Sequence, residues 1–392
     1  MTTQSTQRKT FLRRGALLAG TAILGIGLVA GVADRALLQT DQAFAQPIQL
    51  SGTQTQLPSF ADLVDKVKPA VVSVRVKTEV AAASDQQNLD DLPPQLRRFF
   101  RDFGGEDGGR MGKPKPQIGM AQGSGFFISQ DGYVVTNNHV VEHAVDVQLV
   151  TDSGKTLEAK VVGTDPRSDL ALLKVKDGGD FPYVKLSDAK PRIGDWVLAI
   201  GNPFGLGGTV TAGIVSAQGR DIGSGPYDDF LQIDAPINRG NSGGPTFNGN
   251  GEVVGVNTAI YSPSGGNVGI AFAIPASTVK QVVDQLKKDG KVARGFIGVQ
   301  IQPVTSEMAD AIGLKDAHGA LVAEAQNDGP AAKAGIKRGD TITAVNGQEV
   351  KDARDLSRKI ANIAPGSKVS VTLYREGHSR DVTFEVGRQP AA

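Results

Sequence analysis

The sequence contains no cysteine. That excludes disulfides, thiolate nucleophiles and cysteine-ligated zinc or iron–sulfur centres. A charge bias is missing too: 42 basic against 41 acidic side chains leave a net charge of +1. No global field therefore draws the chain to nucleic acid or to an anionic membrane surface. Aromatic residues make up only 5 % and histidines number four, so the search for a general base is short. Glycine, by contrast, is abundant, with 49 in 392 residues. This fits the many turns and close backbone contacts of a β-rich chain long enough for two or three domains.

The N-terminus carries a targeting pattern. Arg8, Lys9, Arg13 and Arg14 precede an 18-residue apolar run over 15–32, broken only by Thr21, and Ala43-Phe44-Ala45 supplies a small-x-small site before Gln46. Residues 1–45 read as an export signal; an uncleaved anchor is the other reading, because the run is near the shortest that spans a bilayer. Either way the functional part is exported, and cleavage is the preferred reading.

Phe60, Leu63, Val64 and Val67 have helical spacing, and 70–74 reads as a strand. A long loop follows over 81–122, rich in Gly, Pro, Gln and charge. Within it, Leu96-Arg97-Arg98-Phe99-Phe100-Arg101-Asp102-Phe103 suits docking onto a protein surface better than binding nucleic acid. Short strands are expected at 125–128, 133–136, 145–150, 170–175, 196–201, 210–217, 230–233, 253–259 and 269–274. Their β-branched content and turn-separated spacing indicate an all-β barrel or sandwich. Ser277 is expected to cap a helix over 278–288, with Gly290 just past its end. Residues 293–388 form a separate unit, with strands at 295–299, 320–325, 340–345, 368–374 and 382–386 and helices at 331–334 and 353–360.

Gly240-Asn241-Ser242-Gly243-Gly244-Pro245 packs three glycines around one serine. Gly-x-Ser-x-Gly suits the nucleophile elbow of an α/β-hydrolase, but that fold needs a helix after the serine. Here Pro245-Thr246-Phe247 and Val253-Val254-Gly255-Val256 read as strand, while His318 and His378 belong to the C-terminal unit. The order His, acid, Ser fits instead. His139 sits in Thr136-Asn137-Asn138-His139-Val140-Val141 after a strand, and Asp169 opens the apolar run Leu170-Ala171-Leu172-Leu173. Such an acid fixes the imidazole tautomer, and His139 takes the Ser242 proton and returns it to the leaving amine. The N–H groups of Gly240 and Ser242 then face the oxyanion. Any Asp and His could be picked singly; their order and context carry the case. His139-Val140-Val141-Glu142-His143 also matches His-x-x-Glu-His, a zinc-protease pattern that needs both histidines on one helix face. The alternating strand just downstream leaves room for a turn or two of helix only, so His143 reads as a solvated loop side chain and no metal site is expected.

Together, Thr136-Asn137-Asn138-His139-Val140-Val141, Asp169-Leu170-Ala171, Gly201-Asn202-Pro203-Phe204-Gly205 and Asn238-Arg239-Gly240-Asn241-Ser242-Gly243-Gly244 resemble the HtrA/Deg family of serine proteases, over residues 57–388. The resemblance implies a chymotrypsin-like double six-stranded β-barrel over 46–290, followed by an α+β PDZ domain over 291–388. It implies His139 and Asp169 from the first barrel and Ser242 from the second. Ile237, Ile260 and Ile270 match positions lining an S1 pocket for small aliphatic side chains, and Pro236 stands where trypsin-like enzymes carry a charge-selecting aspartate. Segment 96–103 resembles the loop by which such proteases close one another's active sites, and the segment around Phe60 resembles their trimer contact. A trimer-based homo-oligomer is the implied state.

In the C-terminal unit, Arg294-Gly295-Phe296-Ile297-Gly298-Val299 would be the carboxylate-binding loop, where N–H groups capture the terminus of a peptide that adds as a strand. Gly329-Pro330-Ala331-Ala332, Ile336, Gly339-Asp340 and Asn346-Gly347 follow in the order a PDZ domain has. Many relatives carry two such units, so this is a one-PDZ member or a shortened chain. The expected function is that of an exported, periplasmic, ATP-independent serine endopeptidase acting on unfolded proteins, without metal, nucleotide or redox cofactor. The alternative is a chaperone or peptide-binding scaffold with minor proteolysis.

Overall fold

Along β1 (Val71–Val80), Val72, Val74 and Val76 face one apolar cluster with Phe127, Val134, Leu149 and Leu173, while Val71 faces another with Phe126, Val135, Leu170 and Leu172. Period-two alternation of this kind gives a sheet two buried faces. The sheet closes on itself: β1, β2 (Gln117–Phe127), β3 (Tyr133–Thr136), β4 (Ala144–Val150), β5 (Thr156–Asp165) and β6 (Leu170–Val175) form a barrel in the order β1-β2-β3-β6-β5-β4. A second barrel is built from β7 (Trp196–Gly201), β8 (Thr209–Arg220), β9 (Phe230–Ile233), β10 (Pro245–Phe247), β11 (Val253–Ile260) and β12 (Ala271–Pro275), in the order β10-β11-β12-β9-β8-β7. Val197, Ala199, Val215, Ile233, Val254 and Ala271 share its own cluster. The cluster holding Phe126 and Leu172 also takes in Phe247, Val256 and Phe272, and so joins the two barrels.

The computed structural model describes residues 59–80, 117–203, 205, 207–225, 227–263 and 265–390. The expected export signal or anchor at 1–45 and the Phe/Arg segment 96–103 lie outside them. No helix among the described residues is long and apolar enough to cross a membrane. Helix α1 (Ala61–Val67) begins after Phe60 as its spacing predicts. Helix α2 (Asn138–Val141) is a single turn, and α3 (Ala276–Asp289) buries Val279, Val282, Val283 and Leu286 and ends at Gly290.

Several expectations need correction. The loop expected over 81–122 ends earlier, because residues 117–122 pair with Arg75–Val80 as part of β2. The ladder is made by the main chain, so a Gly- and Gln-rich sequence joins it once its partner is fixed. Ser277 does not cap the helix: β12 runs into Pro275, which holds the N-cap position, and the helix starts at Ala276. Strand β5 was not expected; its buried Leu157 and Ala159 alternate with exposed Glu158 and Lys160.

The C-terminal unit is a sheet of β14 (Val299–Pro303), β15 (Ala320–Ala325), β16 (Thr341–Val345), β18 (Lys368–Arg375) and β19 (His378–Glu385) in that order, with β17 (Gln348–Glu349) on β16. Two short strands, β13 (Gly295–Phe296) and β20 (Gly387–Arg388), pair separately. Its helices are α4 (Ser306–Ile312), α5 (Pro330–Lys333) and α6 (Ala353–Ala361). The strand expected over 295–299 is therefore two, broken at Ile297-Gly298, whose carbonyls accept from Ala331 and Gln326 N–H. The fold is that of two six-stranded barrels of chymotrypsin-like type followed by a PDZ unit.

Candidate active site

Asp169 sits at the turn between β5 and β6 in the left-handed region, with φ of 54°. That conformation is uncommon outside glycine but tolerated by Asp. Its carbonyl is held by the Asn137 side-chain amide at 2.9 Å and the Asn138 N–H at 3.1 Å. Its carboxylate accepts the His139 backbone N–H on Oδ1 at 3.0 Å, while His139 Nδ1 lies 2.8 Å from Oδ2. With the carboxylate ionised, Nδ1 is the donor and the lone pair is placed on Nε2. The one-turn helix α2 thus delivers imidazole and backbone to the same acid.

Burial of the His139 ring disfavours its charged form. The Asp169 charge and hydrogen bond, with a smaller push from Glu142, outweigh this and raise its pKa above the ordinary 6.5. His143 lies outside α2, exposed and with φ of 56°. The helix face that a zinc pair requires therefore does not form.

Ser242 is buried, and its hydroxyl donates weakly to the Thr258 carbonyl at 3.4 Å. The Thr258 hydroxyl in turn donates to Asp169 Oδ2 at 2.5 Å. One residue thus touches both the acid and the serine. The sequence reading missed Thr258, and the signal is structural: the register of β11 on β12 slips between Asn257 and Ala259. The unpaired residue at such a bulge is Thr258, and bulges re-aim side chains in this way.

The glycines around Ser242 are required by conformation and space. Gly240 and Gly243 have φ of 88° and 82°. A Cβ on Gly240 would overlap Pro203, and one on Gly243 would overlap the Ser124 carbonyl and the Thr136 hydroxyl. Among the described residues, neither the Gly240 nor the Ser242 N–H meets an internal acceptor. Of the three S1 candidates, Ile237 and Ile260 pack in the cluster of the second barrel, whereas Ile270 packs in the inter-barrel cluster. Ile270 lies in the same hairpin as Ile260, its carbonyl accepting the Tyr261 N–H at 3.1 Å.

In the C-terminal unit β14 is an edge strand with α6 beside it, and the loop of Phe296, Ile297, Gly298 and Val299 leads into that strand. An edge strand next to a helix is the geometry that accepts a peptide as an added strand. Arg294, just before β13, is bound bidentately to Asp165 at 2.7 and 2.5 Å and lies over the Tyr227 ring.

Comparison with known proteins agrees with this architecture. A trypsin-like peptidase domain model matches residues 123–256 and a PDZ domain model matches residues 295–386. The chain is 54 % identical over 397 aligned positions to a probable periplasmic serine endoprotease DegP-like of Rhizobium meliloti (strain 1021), covering 95 % of this chain and 77 % of that protein. It is 58 % identical over 360 positions to the protein of the same description from Brucella melitensis biotype 1, covering 86 % and 70 %. Among solved structures, the HtrA-type protease AlgW with decapeptide shares 39 % identity at a TM-score of 0.67, covering 86 % of this chain and 100 % of that one. The serine endoprotease from Yersinia pestis shares 33 % at a TM-score of 0.59, covering 86 % and 100 %. Two closed barrels, a PDZ unit and this degree of identity give one conclusion: the chain belongs to the family of DegP-like, HtrA-type serine endoproteases.

Proposed function

We propose that this serine endopeptidase cleaves unfolded exported proteins by acyl transfer through His139, Asp169 and Ser242, without ATP. The observation that carries the reading is the hydrogen-bonded set in which Asp169 Oδ2 takes both His139 Nδ1 and the Thr258 hydroxyl, with Ser242 on the Thr258 carbonyl. The weak 3.4 Å bond of Ser242 is beyond the usual O–H···O range and costs little to release. The hydroxyl then donates to His139 Nε2 and attacks the scissile carbonyl, and His139 takes the proton. Asp169 stabilises the imidazolium, and the Gly240 and Ser242 N–H groups receive the oxyanion. The imidazolium protonates the leaving amine, and water, activated by His139, hydrolyses the acyl-enzyme. No phosphoryl donor enters this sequence.

Ile237 and Ile260 support an S1 pocket for Val, Ala, Ile or Thr, in a protease unit reaching to about residue 290. The edge strand β14 supports capture of C-terminal peptides by the PDZ unit from residue 291 on, and such binding would activate the protease. The names of the relatives support a periplasmic location. Trp196, half exposed with its ring 5.9 Å from Phe60, supports a trimer-based homo-oligomer. The test is digestion of unfolded casein by wild type and Ser242→Ala, each with and without a chelator. Activity lost only in the variant supports the serine mechanism. Casein left intact by the wild type, with aggregation of unfolded proteins still suppressed, would favour the chaperone reading.

A further inference from the structure

Ser124 belongs to β2 of the first barrel, yet its polar contacts with the second barrel go to the loop that carries Ser242 and to the Gly201-Asn202-Pro203 segment beside it. Its side chain is fully buried. Its hydroxyl donates to the Gly240 carbonyl at 2.6 Å and accepts the Asn202 N–H at 2.8 Å. Its backbone N–H donates to the Ser242 carbonyl at 2.8 Å, and its own carbonyl accepts the Thr136 hydroxyl at 2.7 Å.

These contacts determine where the Ser242 N–H points. A trans peptide is planar, so fixing its C=O fixes the N–H on its far side. The unit between Gly240 and Asn241 is held at its carbonyl by the Ser124 hydroxyl and at its N–H by the Asn238 carbonyl. The unit between Asn241 and Ser242 is held by Gly244 N–H on the Asn241 carbonyl. The unit between Ser242 and Gly243 is held by the Ser124 N–H on one side and the Asn257 carbonyl on the other. Ser124 therefore pins both units that flank the one bearing the Ser242 N–H, and through Asn202 it ties in the Gly201-Asn202-Pro203 segment against which Gly240 packs. Gly240 and Gly243 lack side chains to restrain them, so this restraint comes from outside the loop.

We infer that Ser124 is a positioning residue for the acylation step: it acts through the backbone of residues 240–243 to hold the Ser242 N–H, one of the two oxyanion donors, in place. The inference rests on the reading of Ser242 as nucleophile and of the Gly240 and Ser242 N–H groups as oxyanion donors. It places an unassigned hydroxyl of one barrel in control of the transition-state geometry of the other, without contact with substrate or with the His139–Asp169 pair.

The test compares wild type, Ser124→Ala, Ser124→Cys and Ser242→Ala in three measurements. These are steady-state cleavage of a peptide with valine before the scissile bond, inhibition by a valine-terminated peptide boronic acid, and the pH profile of kcat/KM. Direct loss of one oxyanion donor costs about 10²–10³-fold in kcat. Loosening the loop in Ser124→Ala is expected to cost about tenfold or more in kcat with KM within about twofold. The boronic acid, whose tetrahedral adduct carries an oxygen at the oxyanion position, loses affinity by the same factor. The acid limb of the pH profile stays where it is, because His139 and Asp169 are untouched; a general loss of folded protein would lower the apparent kcat but leave the boronic acid affinity unchanged. Ser124→Cys keeps the shape of the side chain with a weaker donor and acceptor. It gives an intermediate kcat and serves as the deciding variant if Ser124→Ala does not fold. Wild-type kcat and boronic acid affinity in a folded Ser124 variant would overturn the inference while leaving the role of Ser242 intact. Full activity of Ser242→Ala would instead remove the reading beneath it.

Discussion

Asp169 concentrates more constraint than any neighbour in the site: a left-handed backbone, two hydrogen bonds on its carbonyl and three on its carboxylate. Backbone strain of about 1–3 kcal/mol persists only where the surroundings over-determine it. The five hydrogen bonds do so here. Because Asp169 raises the pKa of His139, and in the proposed mechanism only the neutral imidazole takes the Ser242 proton, activity is expected to rise with pH through that raised value. The acid limb of kcat/KM is therefore expected to have its midpoint above 6.5, and Asp169→Asn should move it to lower pH while cutting kcat by about 10⁴. A limb centred below the ordinary histidine value in the wild type would contradict the electrostatic account. Thr258→Val tests the other bond to the same carboxylate. A hydrogen bond to a charged group contributes about 1.5–3 kcal/mol, so kcat should fall about ten- to a hundredfold with KM little changed; unchanged kcat would make Thr258 a bystander.

At the scale of elements, the loop carrying Ser242 shows what a sequence does and does not disclose. Gly240, Ser242, Gly243 and Gly244 were legible because a backbone that must turn sharply beside a hydroxyl has few residues to choose from, and His139 and Asp169 because each adjoins a strongly apolar strand. Thr258 was not legible, since a threonine in an apolar run reads as one more strand residue until a bulge turns it toward Asp169. Strand β5 was hidden by the exposed Glu158 and Lys160, while its pairing to β4 and β6 uses only the main chain. The start of helix α3 misled because Ser277 is a good cap by type, and only the run of β12 into Pro275 excludes it. Ile237, Ile260 and Ile270 are alike in composition, and the sequence does not tell which apolar cluster each joins. The loop itself yields a direct prediction: Gly243→Ala forces a Cβ into the Ser124 carbonyl and the Thr136 hydroxyl at a φ that L side chains rarely adopt. Purified variant should lack fluorophosphonate labelling at Ser242 and melt well below the wild type. Normal labelling would mean the loop tolerates another path.

For the whole molecule, the decisive contact is the one that seats the PDZ unit on the barrels. Arg358 pairs with Asp229 at 2.8 Å, and Arg354 with Asp221, through side chains that remain partly exposed. Pairs of this kind contribute about 0–1 kcal/mol each and weaken with salt. Arg294 and Asp165 differ, with side chains only 12 % and 5 % exposed and a bidentate geometry that satisfies both groups. Removing one partner of a buried pair leaves a charge without compensation, at a cost of about 3–5 kcal/mol. Asp165→Ala should therefore lower the melting temperature far more than Arg354→Ala and Arg358→Ala combined, and added salt should not close the gap. Replacing both partners, as in Asp165→Leu with Arg294→Met, should recover much of the loss, because apolar groups of similar volume leave no buried charge behind. Asp165 also begins the turn that ends at Asp169, and Ser168 between them donates to the Asp165 carboxylate. The single variant should consequently lose kcat as well as stability, and the double variant should regain stability ahead of kcat. Calorimetry and casein turnover on the same preparations separate the two effects. If Asp165→Ala melts and cleaves like the wild type, the seat of the PDZ unit lies in the exposed pairs instead, and raising the salt concentration should then release it.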